Sequence, residues 1–234
     1  MEKSCEKCRD RGYYTIIDGC SVGCGLCKCA AGRAMQYSIP KRFALWTWET
    51  FPGDSTARDT VRDWCQNGSP PWLLLMGSIG TGKTGLAVCI HKALYDANTE
   101  KARADGHDDS AIEFGVEWKD ATQMLQDIKR SFGANTNEID DFGGYDPVTW
   151  FKRRAKVLTI DDLGAERPTE WAQETIREIL CSRYDHVLRT IITTNLSGSE
   201  LEAWVGKRTM DRIRHDTMVV TLRGESLREP KVAG

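Results

Sequence analysis

The sequence predicts an α/β fold: a parallel sheet flanked by helices, with a phosphate-binding loop after its first core strand. Three observations predict it. The run Trp72–Met76 is apolar without interruption, as in a strand buried on both faces of a parallel sheet. It passes directly into Gly77, Ser78, Ile79, Gly80, Thr81, Gly82, Lys83 and Thr84, which fit the pattern G-x-x-x-x-G-K-[ST] completely. Beyond this loop, short apolar runs alternate with stretches of helical spacing, the mark of strands joined by crossover helices.

Taken in order, residues 1–33 form a Cys-rich head, too short to bury a core of its own. Residues 34–71 form a lead-in and a first helix. Aromatic residues without helical period (38–51) predict an extended stretch, and Val61, Trp64 and Cys65 share one face of a helix over 55–66. Pro70 and Pro71 end it. Residues 72–228 form the core, with 229–234 as a tail. In the core a helix is expected over 84–95, then a polar surface insertion over 97–110. A strand over 112–118, a helix over 121–132 and a mobile Gly/Asn/Asp-rich stretch over 133–146 follow. The apolar run 157–160 predicts a strand ending in two acids. Trp171, Ile176, Ile179 and Leu180 set the apolar face of a helix over 169–186. A strand over 190–194, a helix over 199–213 and a last strand over 218–222 complete the core.

Composition bounds the function classes. The 234 residues are 40% hydrophobic and 28% charged, with a formal net charge of −2, so any nucleic-acid binding must come from a local patch. The longest apolar run is too short to cross a bilayer, and the N-terminus carries no stretch of signal-peptide type. A cytoplasmic protein with reduced thiols and no membrane partner is expected.

Four sequence features carry chemistry. In the loop, glycines let main-chain N–H groups turn inward around a phosphate, and the following helix aims its positive end at the same charge. Lys83 is placed to reach the β- and γ-phosphates of ATP, and the Thr84 hydroxyl to ligate Mg²⁺. The strand 157–160 ends in Asp161 and Asp162, an acid for Mg²⁺ and one to orient the attacking water. The strand 190–194 ends in Asn195, a carboxamide expected beside Asp161, able to hold that water or sense the γ-phosphate. Finally, the basic turn 207–214 offers Arg208, Arg212 and Arg214 to a neighbouring subunit's nucleotide.

Loop, Asp-Asp strand, Asn-ended strand and late arginine, in this order, resemble the AAA+ ATPases. The segments 160–166, 190–195, 211–214 and 223–228, with the lead-in 39–43 and 48–51, are similar to those of the DnaC/DnaI-type replicative helicase loaders and the IstB transposition helpers. The resemblance spans about residues 38–228. It implies an AAA+ P-loop fold in which Lys83 and Thr84 bind phosphate and Mg²⁺. Asp161 would be the Mg²⁺ acid, Asp162 the water-orienting acid, Asn195 the first sensor and Arg212 the arginine finger. It also implies rings or spirals, since each finger needs a neighbour, together with a replicative DNA helicase and single-stranded DNA as partners. Most AAA+ proteins carry Glu where Asp162 stands, so slow turnover is expected. With the chain ending at Gly234 no helical lid is expected, so a lid sensor arginine is not assignable and Arg228 is only a candidate. Gly85 stands where the loaders often have His. Lys129, Arg130 and Phe132 are candidates to offer charge and a stacking ring to single-stranded DNA, against the favoured reading of a solvated helix end.

Six of the nine cysteines lie between Cys5 and Cys29, which in a cytosolic chain points to metal before disulfides. The pairs Cys5/Cys8 and Cys27/Cys29 flank a hairpin-like segment over 12–17, and four thiolates of this kind close a tetrahedral Zn²⁺ site. By spacing, Cys24/Cys27 is an equally good pair, with Cys20 also at hand. An iron–sulfur cluster or free thiols are the other uses. The similar head of some DnaC-like proteins supports Cys5, Cys8, Cys27 and Cys29.

The expected function is an ATPase that loads a replicative helicase on single-stranded DNA. The alternatives are an IstB-like transposition helper and a nucleotide-gated adaptor with negligible hydrolysis.

Overall fold

The computed structural model describes residues 13–18, 21–26, 37–106, 115–132, 146–165 and 168–228. The chain divides into two units, Met1–Phe51 and Pro52–Gly234. In the first, β1 (Tyr13–Asp18) pairs antiparallel with β2 (Ser21–Leu26), from Tyr13 opposite Leu26 to Asp18 opposite Ser21. The lead-in is not extended as expected. It makes a 3-10 turn at Lys41–Phe43, where Phe43, Trp46 and Phe51 stack edge to face in sequence. Ring-to-ring burial sets this segment rather than main-chain pairing.

The second unit opens with α1 (Ser55–Asn67), whose first turn is capped by the Asp54 carboxylate and whose end is closed by Gly68 in the left-handed region. There follow β3 (Trp72–Met76), α2 (Lys83–Ala104), β4 (Val116–Asp120) and α3 (Ala121–Ser131). A short helix α4 (Pro147–Thr149) continues as a π-helical turn over Trp150–Arg154. Then come β5 (Val157–Leu163), α5 (Glu170–Asp185), β6 (Arg189–Thr194), α6 (Gly198–Val205), α7 (Lys207–His215) and β7 (Thr217–Thr221).

The five core strands form one parallel sheet in the order β4-β5-β6-β3-β7. The three central strands, β5, β6 and β3, are buried on both faces, which is why their middles read as apolar runs, whereas the edge strands β4 and β7 are only partly buried. On β5, Leu158 and Ile160 join the cluster formed with Met124, Ile128, Ile176 and Ile179, whereas Thr159 faces His91 of α2. Side chains alternate along a strand, so Asp161 shares the α2 face with Thr159. The sequence thereby delivers an acid to the start of α2.

Three further expectations needed correction. Helix α2 runs on through the first part of the polar stretch 97–110, because Thr99–Ala104 are good enough helix formers to prolong a nucleated helix. Strand β4 starts at Val116, later than 112. The predicted single helix 199–213 is two, α6 and α7, broken at Gly206 with φ +82°. The π-helical turn at 150–154, held by the burial of Trp150 and Phe151, was not expected at all.

Candidate nucleotide site

The site gathers at the C-terminal ends of β3, β5 and β6. Two glycines of the loop are there because no side chain fits. Gly77 has φ +145°, and a Cβ on it would stand 2.7 Å from the Leu222 carbonyl oxygen; Gly80 has φ +88°, and a Cβ would collide with Ser226. Leu222 donates its N–H to Met76 O, and Leu227 donates to Gly80 O at 2.9 Å. The segment after β7 thus braces the loop.

Helix α2 begins at Gly82 without a side-chain cap, whereas α1, α3, α5 and α6 each begin on an Asp, Thr or Ser that accepts from the first turn. Its orphan N–H groups remain available to an anion. Lys83 is only 5% exposed, and its ammonium donates to Gly77 O and Ser78 O, both at 2.8 Å. Burial depresses its pKa; Asp162 opposes that shift, Arg228 adds to it and Asp161 opposes it. A buried ammonium held only by neutral carbonyls suits a phosphate.

Asp161 is the counterpart. Its Oδ1 accepts from Thr193 Oγ1 at 2.6 Å and from Thr84 Oγ1 at 3.1 Å. Burial raises its pKa to about 6, against the two hydroxyl bonds that lower it and with Asp162 and Asp120 adding to the rise. A carboxylate so short of positive charge fits a divalent cation, and Thr84 beside it fits the same ion.

Asp162 occupies an unusual backbone. Ile160 pairs with Ile192 and Leu163 with Thr194, so β5 places two residues, Asp161 and Asp162, where β6 places only Thr193. This is a β-bulge, and Asp162 within it has φ +59°, a left-handed conformation that is sparsely populated for a side-chain-bearing residue. In a regular strand Asp162 would point to the opposite face from Asp161. In the bulge its Oδ1 accepts from Asn195 Nδ2 at 2.7 Å, while its N–H donates to Thr193 Oγ1 at 2.8 Å. Thr193 and Asn195 share one face of the β6 direction, so a single strand serves both acids.

Lys83, Thr84, Asp161, Asp162 and Asn195 are therefore brought together, with Gly77–Gly82 wrapped over them and Gly85 in the first turn of α2. Thr193 was missed; its only signal was a hydroxyl at the end of an apolar strand. Arg212 lies elsewhere. Helix α7 leads into Thr217, which pairs with Trp72, the first residue of β3, and the Arg212 guanidinium reaches Asp185 at 3.5 Å and stacks over Tyr184 near the end of α5. That is the opposite edge of the sheet from Lys83. Arg214 pairs with Glu202, and Arg208 lines the same groove as Arg212. Of the residues read for single-stranded DNA, Phe132 is 69% exposed and stacks edge-on against Trp171, Lys129 lies over that Trp171 ring, and Arg130 pairs with Asp127. Cys5, Cys8, Cys20, Cys27 and Cys29 lie outside the described residues; Cys24 is described only by its backbone, opposite Thr15. No helix among the described residues is long and apolar enough to cross a membrane.

The fold is a P-loop fold of the AAA+ type, and the site's residues suit a nucleotide phosphate and a divalent cation. Residues 143–232 match the family described as IstB-like ATP binding protein. Over 214 residues the chain is 26% identical to the replicative helicase loader DnaI of Bacillus subtilis (strain 168), covering 86% of this chain and 59% of that protein. The match therefore spans less than two thirds of the relative's length. The crystal structure of the DnaC helicase loader is similar with a TM-score of 0.59 and 25% identity, covering 79% of this chain and all of that one (100%). AMPPCP-bound DnaA from Aquifex aeolicus shares the fold, with a TM-score of 0.52 and 22% identity over 76% of this chain and 50% of that one.

Proposed function

We propose that this chain is an ATP-dependent helicase loader, binding a replicative DNA helicase and single-stranded DNA, with ATP binding and hydrolysis controlling assembly and release. The observation that carries this reading is the similarity to DnaI across 86% of the chain, in a protein whose two acids and Asn195 converge on Lys83 and Thr84.

In this reading Lys83 and the loop N–H groups hold the phosphates of ATP, and Thr84 and Asp161 hold Mg²⁺, which supplies charge neutralisation at the phosphates. Asp162, kept in place by Asn195, orients the attacking water, and Asn195 senses the phosphate through the same amide. Turnover is slow, as suits a switch. Arg212, at the far edge of the sheet, serves the nucleotide of the next subunit in a ring or spiral. Arg228, close enough to depress Lys83, adds positive charge from the same chain. Phe132, Lys129 and Arg130, with Trp171, offer single-stranded DNA a stacking ring and charge. In the head, Zn²⁺ on Cys5, Cys8, Cys27 and Cys29 is supported by the hairpin between the two pairs: Tyr13 opposite Leu26 sets its two ends side by side. The protein acts in the cytoplasm.

A pull-down of replicative DNA helicase, with and without ATP, tests the reading. Nucleotide-dependent capture is expected, and no capture in either state would sink it. The match of residues 143–232 to IstB-like proteins favours one second reading, a transposition helper, which capture of a transposase instead of the helicase would support. Helicase capture with ATP binding but no hydrolysis, even with single-stranded DNA present, would mark a nucleotide-gated adaptor. Metal analysis should find zinc in the purified chain, lost in Cys27→Ser/Cys29→Ser.

A further inference from the structure

Thr193 has no role in the phosphate and metal assignments above, yet its hydroxyl touches both acids of the site. It is fully buried at the end of β6. Its Oγ1 donates to Asp161 Oδ1 at 2.6 Å and accepts the Asp162 N–H at 2.8 Å. A hydroxyl has one proton to give and lone pairs to receive, so both bonds form at once. The consequence is directional: with its proton committed to Asp161, the oxygen is left to bind the Asp162 amide.

That amide belongs to the extra residue of the bulge. Across the bulge β5 advances three residues from Ile160 to Leu163 while β6 advances two from Ile192 to Thr194, so one β5 residue loses its place in the ladder. Bulges leave such a residue without a main-chain partner, and a buried N–H without any acceptor is costly. The Thr193 side chain supplies the acceptor. Next along the chain, Thr194 Oγ1 donates to Leu163 O at 2.7 Å and closes the far side of the same bulge.

We propose that Thr193 is a positioning residue for nucleotide-dependent chemistry: by holding the bulge of β5 closed, it aims Asp161 at Thr84 and presents Asp162 to Asn195. Remove the hydroxyl and Asp161 loses its shorter restraint, while the Asp162 amide loses its acceptor and the left-handed turn its anchor. Lys83 and the glycine loop touch neither group through Thr193 and keep their geometry. The expected defect is therefore selective, weakening the Mg²⁺-dependent part of nucleotide binding and sparing the Mg²⁺-independent part.

This inference rests on the ATP-site reading, and the test separates the two. Thr193→Ser and Thr193→Ala are compared in the full chain; both lose the methyl, and only Ala loses the hydroxyl. A fluorescent ATP analogue is titrated with and without Mg²⁺, kcat and KM are measured, and exchange at the Asp162 amide is followed by hydrogen-exchange mass spectrometry. For Ala the Mg²⁺ concentration at half-maximal binding should rise about tenfold, as for loss of a hydrogen bond to a charged group. kcat should fall, Mg²⁺-free binding should stay within about twofold, and the Asp162 amide should exchange faster. Ser should restore all of these. Equal defects in Ser and Ala, or an unchanged Mg²⁺ midpoint in folded Ala protein, would overturn the assignment. Should Ala fail to fold, Ser settles the matter alone: a wild-type Mg²⁺ midpoint and Asp162 protection support the role, and losing both overturns it. Absence of any Mg²⁺-dependent nucleotide binding in the unaltered chain would overturn the ATP-site reading and this inference with it.

Discussion

Both edges of the parallel sheet bury a charge, and they treat it in opposite ways. At the N-terminal edge Arg183 of α5 is fully buried, but its guanidinium donates to Phe151 O, Ala155 O, Arg189 O and Thr190 Oγ1 at 2.7–2.9 Å. Burial lowers its pKa to about 9, which leaves it cationic at neutral pH. With four acceptors around five N–H donors it holds the π-helical turn, α5 and the start of β6 together. At the C-terminal edge Lys83 has two carbonyls and Asp161 two hydroxyls, and the charges of Asp162 and Asp161 act on Lys83 beside the glycine loop. The difference teaches how to read a buried charge. One whose donors are tied to main-chain carbonyls of several elements is a structural pin; one facing a glycine loop beside two acids is placed to bind.

Four substitutions break or sharpen this contrast. The largest effect is expected at the pin: Arg183→Met strands three main-chain carbonyls and should destabilise the fold by about 3–5 kcal/mol. Urea unfolding measures it; a loss below about 1 kcal/mol would deny Arg183 its structural role. Next, Lys83→Ala should weaken ATP binding about a hundredfold, roughly 2.7 kcal/mol, with little change in the urea midpoint. Isothermal titration checks the first part, and a matching loss of stability would erase the distinction between the two edges.

Asp161→Asn should move stability the other way. The Asp161 carboxyl goes from 3.8 unfolded to about 6 folded, so the native state holds the proton more tightly and stability falls as pH rises between these values. At pH 7 the ionised group costs at most about 3 kcal/mol, and Asn should recover ~1–3 of it while abolishing Mg²⁺-dependent nucleotide binding. In the unaltered chain that binding should weaken as pH drops below about 6, where protonated Asp161 no longer attracts the cation. Asp162→Gly is expected to be the smallest change. Glycine bears φ +59° freely, so relief of strain should offset the lost Asn195 bond to within about 1 kcal/mol. Turnover should nevertheless fall, and unchanged kcat would remove Asp162 from the role of water-orienting acid.

Much of the fold, and half of this contrast, is legible in the sequence. The phosphate loop, β3 over 72–76 and the order of helices and strands follow from local pattern. So does α5, which runs over Glu170–Asp185 with Thr169 as its cap, against an expected 169–186. Asn195 was expected beside Asp161, and the sheet puts β6 next to β5. What escaped depended on a partner strand or on distant acceptors. A bulge is a mismatch between two strands and leaves no mark in either one, so the turn of Asp162 and the part of Thr193 were invisible. Arg183 reads as one more polar residue in an amphipathic helix until Phe151, Ala155 and Arg189 converge on it. The break at Gly206 escaped because the hydrophobic spacing of α6 and α7 continues across it.

The sequence by itself determined the fold class and the identity of the groups in the site, because G-x-x-x-x-G-K-[ST] and strand-ending acids express their chemistry in local spacing. The tertiary structure decided how those groups are aimed. It placed Asp161 and Asp162 on one side of the sheet through a bulge held by Thr193, and it set Arg212 at the far edge where its own nucleotide site is out of reach. Spacing along a chain specifies which atoms are present, while the direction of a carboxylate is fixed only when neighbouring strands commit their hydrogen bonds.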